Sequence, residues 1–365
     1  MLRVLHYVSV MDRGGQETFI MNLFRKIDRS QIQFDFLCSE MRPGEFDKEI
    51  HELGGHIHYV KPVSRKGLLK HLEGILVLGK QLRQMPEPYD VFHIHNHHAF
   101  SALLSVLAAK LGGVKTIVVH SHNTSTQYHL QAHAVCKRIL AWFNVRRFAC
   151  SQAAGEWMFT SNNFTVIHNG LDLNEFTFDP WKREEVRKEF NWTDKRIIGH
   201  VGRFNAQKNH MFLIEIFAAL HEKMQDAHLV LVGKGELEDE VRRRVEEKGL
   251  SDFVSFLGVR DDVQRLYQGM DLFLFPSCYE GLGIVLIEAQ ICGLPCVVSD
   301  VIPSESIFVE NTVKMSLQSS SELWAEKCML LLKNVENRNN NVSVLRSAGY
   351  DSIDIANNLE RIYLM

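Results

Sequence analysis

"VLHYVSVMDRGGQETFIMNLF" (residues 4–24) and "IIGHVGRFNAQKNHMFLIEIF" (residues 197–217) are the two stretches that decide the fold. Each begins with a short apolar run, passes through a polar or glycine-containing loop and ends in a segment with apolar residues at helical spacing. A strand, a loop and an amphipathic helix in this order are typical of the start of a Rossmann-like domain. The repeated unit predicts two such domains, which suits a chain of 365 residues at roughly 150 residues per domain.

Further apolar runs follow each stretch and alternate with longer helical segments. The runs include "VFHIH", "TIVVHSH", "HLVLVG", "DLFLFPS" and "PCVVSD". Near-continuous apolar strands that alternate with helices indicate an α/β fold whose parallel, doubly wound sheets are covered by helices on both faces. Ligands of such sheets bind beyond the carboxyl ends of the strands. We therefore expect the site where the two domains face each other across a cleft.

A charged stretch, "DPWKREEVRKEFNWTDKR" (residues 179–196), separates the two series of strands and helices. It predicts an N-terminal domain over residues 1–178 and a C-terminal domain over residues 179–345. The last segment, residues 346–365, has apolar residues at helical spacing and is predicted to end the chain in a helix.

The composition argues against several classes of protein. The formal net charge is −3 and no basic stripe is interleaved with aromatic residues, so a nucleic-acid partner is not expected. The 7 cysteines are scattered and form no paired CxxC units, which argues against a disulfide framework and favours a reducing cytoplasm. Neither a signal peptide nor a membrane-spanning segment is expected.

Two carboxylates stand out in "CYEGLGIVLIEAQICGLP" (residues 278–295). Glu280 lies in a loop before a Gly-Leu-Gly, and Glu288 falls inside an apolar helix predicted over residues 284–292. Carboxylates accept hydrogen bonds from vicinal hydroxyls such as those of a hexose and a ribose. The alternative is that Glu288 pairs with a neighbouring Arg or Lys and Glu280 is merely solvated.

Cations and glycines follow the first strand of each predicted domain. Arg203 and Lys208 come after the strand of the second domain, where a guanidinium and an ammonium near a helix start suit a diphosphate; the alternative is two surface cations. Gly14 and Gly15 occupy the matching loop of the first domain and could let a phosphate approach the backbone. The third glycine of a dinucleotide fingerprint is missing, which disfavours a nicotinamide-dependent oxidoreductase.

Histidine is frequent, with 18 residues, and "HIHNHH" and "HSH" close two of the strands. An H-x-H at a strand end is a familiar metal arrangement, so a zinc-dependent hydrolase is a competing function. No Asp/Glu-rich set near these strands completes a ligand sphere, so no metal is expected. The alternative is that one histidine hydrogen-bonds a substrate hydroxyl while the others line the wall. The histidines in question are His93, His95, His97, His98, His120 and His122.

These motifs, together with "VIHNGLDLNEF" (residues 166–176) and Gly14-Gly15-x-Glu17, resemble family 4 of the glycosyltransferases. The resemblance is greatest to bacterial enzymes of capsular and exopolysaccharide assembly. It implies the GT-B fold, with two Rossmann-like domains facing across a cleft, and a terminal helix that crosses back to the first domain. It also implies retaining transfer of a hexose-type sugar from a nucleotide sugar, foremost a UDP-sugar, to a glycan or lipid-linked acceptor, without metal or other cofactor.

The resemblance assigns parts to individual residues. Arg203 and Lys208 would hold the diphosphate, Glu288 would accept from the ribose, and Glu280 with the amides of residues 281–283 would orient the donor sugar. The histidine near the donor sugar falls on His122, with His120 as the alternative. The expected catalytic residues are His122, Glu280, Arg203 and Lys208, and the expected donor-binding residues are Gly14, Gly15, Arg203, Lys208, Gly258, Val259, Glu280, Gly281, Leu282, Gly283 and Glu288.

A basic amphipathic segment over residues 64–84 could dock on the anionic cytoplasmic face of a membrane, where a lipid-linked acceptor resides. The alternative is a helix that packs on its own sheet with a solvated basic face. For the function as a whole, a non-hydrolysing nucleotide-sugar epimerase of the same fold and a non-catalytic sugar-nucleotide-binding subunit also remain open.

Overall fold

The computed structural model describes residues 1–96, 98–123, 130–280, 282–333, 338 and 340–364, with the backbone alone for Leu68. The chain forms two compact units, Met1–Leu171 with Gly349–Met365, and Asp172–Ala348. Within the described ranges, every helix is too short or too polar to serve as a transmembrane span.

The first unit contains a parallel sheet in the strand order β3-β2-β1-β4-β5-β6-β7. The strands are β1 (Leu2–Val8), β2 (Ile32–Cys38), β3 (Ile57–Tyr59), β4 (Val91–Asn96), β5 (Thr116–Ser121), β6 (Arg146–Ala149) and β7 (Thr165–Val166). The helices are α1 (Gly15–Lys26), α2 (Asp47–Glu52), α3 (Leu68–Arg83), α4 (Ala99–Gly112), α5 (Leu130–Leu140) and α6 (Gln152–Met158), followed by the terminal helix described below.

Helices bury both faces of this sheet. Successive residues of each strand point to opposite faces, so both sets of side chains lie in an apolar core. Val4 and Val8 of β1 belong to one apolar core, whereas Leu5 belongs to the other. The first core contains Phe19 and Leu23 of α1, and the second contains the apolar side of α4. This two-sided burial explains why the strands read as near-continuous apolar runs.

The second unit contains a parallel sheet in the order β10-β9-β8-β11-β12-β13. The strands are β8 (Arg196–Val201), β9 (Ala227–Val232), β10 (Val254–Phe256), β11 (Leu272–Phe275), β12 (Cys296–Ser299) and β13 (Thr312–Met315). The helices are α7 (Pro180–Glu189), α8 (His210–Lys223), α9 (Glu238–Glu247), α10 (Val263–Gly269), α11 (Ile284–Ile291), α12 (Ser321–Leu332) and α13 (Val342–Ser347).

A buried carboxylate fixes α7 to this second sheet. Asp271 is 2% exposed and contacts Arg183 and Arg187, the latter at 3.0 Å between Nη1 and Oδ2. It also accepts a hydrogen bond from the backbone N–H of Ile197 at the start of β8, at 2.7 Å. The charged stretch that separates the two series of strands in the sequence thus contributes a helix that is tied to the core of the second unit.

The last helix, α14 (Ser352–Leu364), belongs to the first unit. Its residues Ile355, Leu359 and Tyr363 lie in the same core as α1. The chain reaches it through a parallel bridge between Leu171 and Asp351. The helix therefore closes one face of the first sheet.

The two units divide the chain slightly differently from the expected boundaries at 178/179 and 345/346. The Gln268 side-chain amide donates to the backbone carbonyl of Thr177, and its oxygen accepts from the N–H of Asp179. This segment is therefore attached to the second unit. At the other boundary, α13 continues to Ser347. The predicted fold class, an α/β chain with two Rossmann-like parallel sheets, is confirmed.

Candidate active site

The loop after β8 is folded so that Lys208 points back toward the end of β11. Asn205 begins a short 3-10 turn, and its side chain accepts a hydrogen bond from the Lys208 N–H at 3.1 Å. Asn209 is left-handed with φ 55°, and its amide donates to the carbonyl of Pro276 at 3.1 Å. These contacts fix the turn to the loop that follows β11.

Lys208 and Glu280 form an ion pair at the carboxyl ends of these two strands. Lys208 Nζ donates to Glu280 Oε1 at 2.6 Å, and the two side chains are 14% and 6% exposed. The amide of Gln207 donates to the other carboxylate oxygen, Oε2, at 3.2 Å. Lys208 Nζ also lies 4.8 Å from the ring centre of Phe275. The sequence-based alternatives of a solvated Glu280 and a surface Lys208 are therefore wrong.

Glu288 lies in α11 and contacts a tyrosine. The hydroxyl of Tyr267 donates to Glu288 Oε2 at 3.0 Å, and it also lies 3.1 Å from the carbonyl oxygen of Val285. Burial raises the pKa of Glu288 to about 7, against the opposing effect of the Tyr267 hydrogen bond. Among the described residues no Lys or Arg pairs with Glu288. Within this part of the chain, the alternative of an ion pair between Glu288 and a neighbouring Arg or Lys is therefore wrong.

Arg203 lies at the surface beside Glu236. Its Nη2 is 3.1 Å from the Glu236 carboxylate, and the side chains are 70% and 57% exposed. A pair this exposed contributes little to stability. The guanidinium can therefore exchange its carboxylate for a phosphate at low cost.

Two of the expected glycines have backbone conformations that other residues rarely adopt. Gly258 has φ +66°, and its carbonyl accepts from the N–H of Gly233 at 2.8 Å. Gly283 has φ +69° and begins α11, which leaves its N–H at the start of the helix. Val259 is 60% exposed and Leu282 is buried. Gly281, which was expected to contact the donor sugar, lies outside the described residues.

In the first unit, five histidines from three adjacent strands lie on the sheet face covered by α1 and α14. We call them the histidine cluster: His6, His93, His95, His120 and His122. The register aligns His6 with His93 and His95 with His120 on neighbouring strands. The rings stack or tilt against one another with centroid distances between 4.2 and 5.5 Å.

Hydrogen bonds connect the histidine cluster in two chains. In one, His6 Nδ1 is 2.9 Å from His95 Nε2, and His95 Nδ1 is 2.9 Å from His122 Nε2. In the other, the Tyr363 hydroxyl is 2.5 Å from His93 Nδ1, and His93 Nε2 is 3.2 Å from His120 Nδ1. Each neutral imidazole has one N–H, so the direction of donation along a chain fixes every tautomer in it.

Burial keeps most of this cluster neutral. It lowers the pKa of His6 to about 3 and the pKa of His93, His95 and His120 well below the ordinary 6.5. His122, just after β5, is half-buried and contacts His95 in the first chain. The expected wall of polar histidines and the candidate histidine His122 are therefore joined in one cluster by two hydrogen-bonded chains and by ring contacts between them.

Gly14 and Gly15 lie at the start of α1, where Gly14 is the N-cap and Gly15 the first helical residue. A Cβ at Gly14 would lie 2.2 Å from Glu17 Oε2, so the two residues are packed closely. His98 caps α4, because its Nδ1 accepts from the N–H of Ser101 at 3.2 Å. His97 lies outside the described residues.

Three contacts of these sites have no signal in the sequence. Tyr267 is on α10, far from Glu288 along the chain. His6 is a single histidine in the first apolar run, and only the strand register places it beside His95. Gln207 stands next to Lys208 in "NAQKNH", and its direction toward Glu280 depends on the turn.

Comparison with known proteins identifies the family. Residues 13–175 match the family described as Glycosyltransferase Family 4, and residues 182–343 match Glycosyl transferases group 1. EpsF of Bacillus subtilis, a protein named as a glycosyltransferase, is 36% identical over 336 residues, covering 89% of this chain and 86% of EpsF. The chain belongs to glycosyltransferase family 4. The capsular polysaccharide biosynthesis glycosyltransferase CapH of Staphylococcus aureus is 24% identical over 381 residues, covering 100% of this chain and 99% of CapH.

Solved structures show the same fold as this family 4 glycosyltransferase. The crystal structure of Anabaena HepE in complex with UDP superposes with a TM-score of 0.79 at 20% identity, covering 99% of each chain. WaaG, a glycosyltransferase of lipopolysaccharide biosynthesis, has a TM-score of 0.67 at 16% identity, covering 100% of this chain and 99% of WaaG. The GT-B fold expected from the motifs is confirmed.

Proposed function

We propose that this glycosyltransferase moves a hexose-type sugar from a nucleotide sugar, foremost a UDP-sugar, to a glycan or lipid-linked acceptor, with retention of the anomeric configuration. Its place would be cell-surface polysaccharide biosynthesis, as the name of CapH suggests. A second relative, from Escherichia coli, is named as a galactosyltransferase that uses UDP-Gal and a diphosphoundecaprenol-linked sugar, and is 25% identical over 82% of this chain. HepE was also crystallised with UDP-glucose.

The contact between Lys208 and Glu280 carries the proposal. An ammonium has three protons, and Glu280 takes one of them at 2.6 Å, which leaves two for phosphate oxygens. Glu280 is itself positioned by Gln207, so its carboxylate can accept from sugar hydroxyls in a fixed direction. Both groups lie beyond the carboxyl ends of parallel strands, where Rossmann-like sheets bind their ligands.

The neighbouring residues would hold the rest of the donor. We assign Arg203 to the diphosphate together with Lys208, and Glu288 to the ribose hydroxyls. The amides of Leu282 and Gly283 at the start of α11 suit the donor sugar or a phosphate oxygen. Gly258 and Val259 would form the wall beside the base.

In the reaction, the bond between the anomeric carbon and the diphosphate oxygen breaks, and a bond to the acceptor oxygen forms on the same face of the sugar. The acceptor proton goes to the departing diphosphate. Arg203 and Lys208 stabilise the charge that develops on this leaving group. For the first unit, we propose that His122 hydrogen-bonds the transferred sugar and that the Gly14 and Gly15 amides donate to phosphate, the Gly14 N–H in place of its bond to the Asp12 carbonyl.

A cavity in the first unit suits the acceptor. It has a volume of about 210 Å³ and is lined by apolar residues of α3, α4 and neighbouring strands, among them Val60, Ile75 and Leu104. Its polar lining residues include Lys70, His71, Asn96, Ser101 and Ser105, and the exposed Lys70 could bind a phosphate. An apolar cavity with a cation at its edge fits a lipid phosphate better than a free sugar.

The outer side of α3 would contact the membrane. Leu69, Leu72 and Leu76 repeat at helical spacing and are 52%, 55% and 60% exposed, while Leu78 on the inner side is buried. Lys70 and Lys80 are exposed on the same helix. Exposed leucines interleaved with lysines are typical of helices that lie in the surface of an anionic bilayer.

Sugar transfer to a polyprenyl-diphosphate-linked acceptor tests the main proposal. Purified protein should move sugar from at least one UDP-sugar, and NMR of the product should show the donor's anomeric configuration. Glu280→Gln should lower the rate by at least tenfold, whereas the exposed control Glu247→Gln, whose side chain is 63% exposed, should change it far less. Inversion of configuration, or a Glu280→Gln variant with full activity, would contradict the assignment.

Vesicle sedimentation tests the membrane contact separately. Vesicles with anionic lipid should capture the protein more than zwitterionic vesicles, and Leu72→Ser should reduce capture. Leu330→Ser removes a leucine of similar exposure, 54%, from α12 of the other unit and should have no effect. Equal capture of both variants would refute a contact through α3.

A further inference from the structure

We propose that His95, His120 and His122 form a binding site for a transition-metal ion of the zinc type. One ring nitrogen from each of the three lies within 4.8 Å of the other two. A tetrahedral zinc site places its nitrogen ligands about 2.0–2.1 Å from the ion, hence roughly 3.4 Å from one another. Small changes of side-chain torsion would therefore bring the three nitrogens to ligand distance.

His120 supplies the observation that points to a ligand. Its ring is fully buried, and its Nε2 has no hydrogen-bond partner among the described residues. A buried polar atom without a partner costs free energy, so such an atom needs an explanation. A metal ion at this position would accept the Nε2 lone pair and remove the cost.

The opposite nitrogens of the buried ligands already have partners. His120 Nδ1 faces His93 Nε2 at 3.2 Å, and His95 Nε2 faces His6 Nδ1 at 2.9 Å. His93 is in turn held by the Tyr363 hydroxyl. Histidines that bind metals usually donate their second N–H to such a partner, which fixes the ring and its tautomer. The histidine cluster provides this outer layer before any ion binds.

A second group of three, His6, His93 and His95, also has nitrogens within 4.8 Å of one another, but it suits a metal less well. Both nitrogens of His93 are already hydrogen-bonded, one to Tyr363 and one to His120. All three rings are buried. The group with His122 is favoured because His122 is half-buried and gives an ion a route to the site.

The ligand set selects the kind of metal. Three imidazoles suit zinc, cobalt, nickel and copper, whereas magnesium and calcium require oxygen ligands. Three protein ligands leave a fourth position open, as in sites where a metal binds an exchangeable ligand.

To bind the metal, His95 must donate through Nε2 to His6, which places the His6 proton on its buried, unpartnered Nε2. This cost makes micromolar affinity a better expectation than the tighter binding of structural zinc sites.

The metal would compete with the function proposed for His122, and this consequence rests on that proposal. An ion bound at His122 Nε2 changes the position of the ring, so zinc should inhibit sugar transfer while magnesium should not. If zinc binds at the site and the transfer rate is unchanged, the metal site stands and the assignment of His122 to the donor sugar fails.

Cobalt titration of the full chain tests the site directly. Protein freed of metal with a chelator should bind one Co²⁺ per chain with the visible absorption of a four-coordinate ion, and zinc should displace it. His122→Asn at the rim and His120→Asn in the interior should each lower the affinity at least tenfold. The matched control His228→Asn removes a buried histidine of the second unit and should leave binding unchanged.

Circular dichroism of each variant shows whether it is folded, and the half-buried His122 position keeps the test usable if His120→Asn is not. The proposal is overturned if the unmodified protein shows no such absorption band. It is equally overturned if folded His122→Asn binds cobalt as tightly as the unmodified chain.

Discussion

Replacing Glu288 by glutamine tests whether this carboxylate is kept in α11 for its ligand rather than for the fold. Its pKa is raised to about 7 from an ordinary 4.5, so the unfolded chain releases this proton more readily than the folded chain. Ionisation therefore lowers the free energy of unfolding above pH 4.5, and the loss is recovered as the pH falls from 7 toward 4.5. Glutamine has nearly the same shape, can accept from Tyr267 and cannot ionise.

The two pKa values set the size of the effect. Because the carboxyl has different pKa values in the folded and unfolded states, its ionisation lowers the free energy of unfolding of the wild type by about 3 kcal/mol at pH 8 and about 1 kcal/mol at pH 5. Glu288→Gln is therefore expected to be more stable than the wild type by about these amounts. Loss of a charged acceptor for the ribose should at the same time weaken UDP binding by about 1.5–3 kcal/mol, roughly ten- to hundredfold.

Urea unfolding at pH 5 and pH 8 and calorimetric titration with UDP measure both effects. The exposed control Glu247→Gln, whose side chain is 63% exposed, should change neither. UDP affinity of the wild type should rise between pH 6 and pH 8 as Glu288 ionises, and the variant should lose this rise. A Glu288→Gln protein with the same stability advantage at both pH values, or with unchanged UDP affinity, would refute the reasoning.

Three further predictions concern the ion pairs and the histidine cluster. Lys208→Met should lower kcat/KM for sugar transfer at least a hundredfold, while Lys234→Met should lower it less than tenfold, as measured by product formation. Asp271→Ala should reduce the free energy of unfolding by about 3–5 kcal/mol in urea, because Arg183 and Arg187 lose a buried partner. Lowering the pH from 7 to 5.5 should destabilise the chain by about 1.2 kcal/mol for each buried neutral histidine, since the unfolded state binds protons below pH 6.5 and the folded state does not. Urea midpoints that stay constant over this range would contradict the neutral cluster.

The fold was predictable because its signals are local and repeated. Apolar runs such as "HLVLVG" alternate with helical segments, and two-sided burial of parallel strands requires that composition. The helix predicted over residues 284–292 is found at Ile284–Ile291, because glycines mark both of its ends. The compact units divide at 171/172, seven residues before the expected boundary, and hydrogen bonds of Gln268, far along the chain, attach residues 177–179 to the second unit.

The part of the candidate site that was predictable consists of charged side chains in the loops that follow strands. Lys208 and Glu280 each stand just beyond a strand, and adjacent parallel strands bring such positions together. The partner of Glu288 was not predictable, because Tyr267 reaches it from another helix and no sequence spacing encodes that contact. The histidine cluster was visible only in part, since the alignment of His6 with His93 depends on strand order.

Thermal unfolding with UDP, GDP and ADP tests most directly whether this chain binds a nucleotide sugar through Lys208 and Glu280. At a concentration of about one hundred times the dissociation constant, a bound nucleotide should add about 2.7 kcal/mol of stability. We predict that UDP raises the melting temperature of the wild type and that Lys208→Met loses most of this rise. No rise with any of the three nucleotides, or the same rise in the wild type and in Lys208→Met, would contradict the central claim.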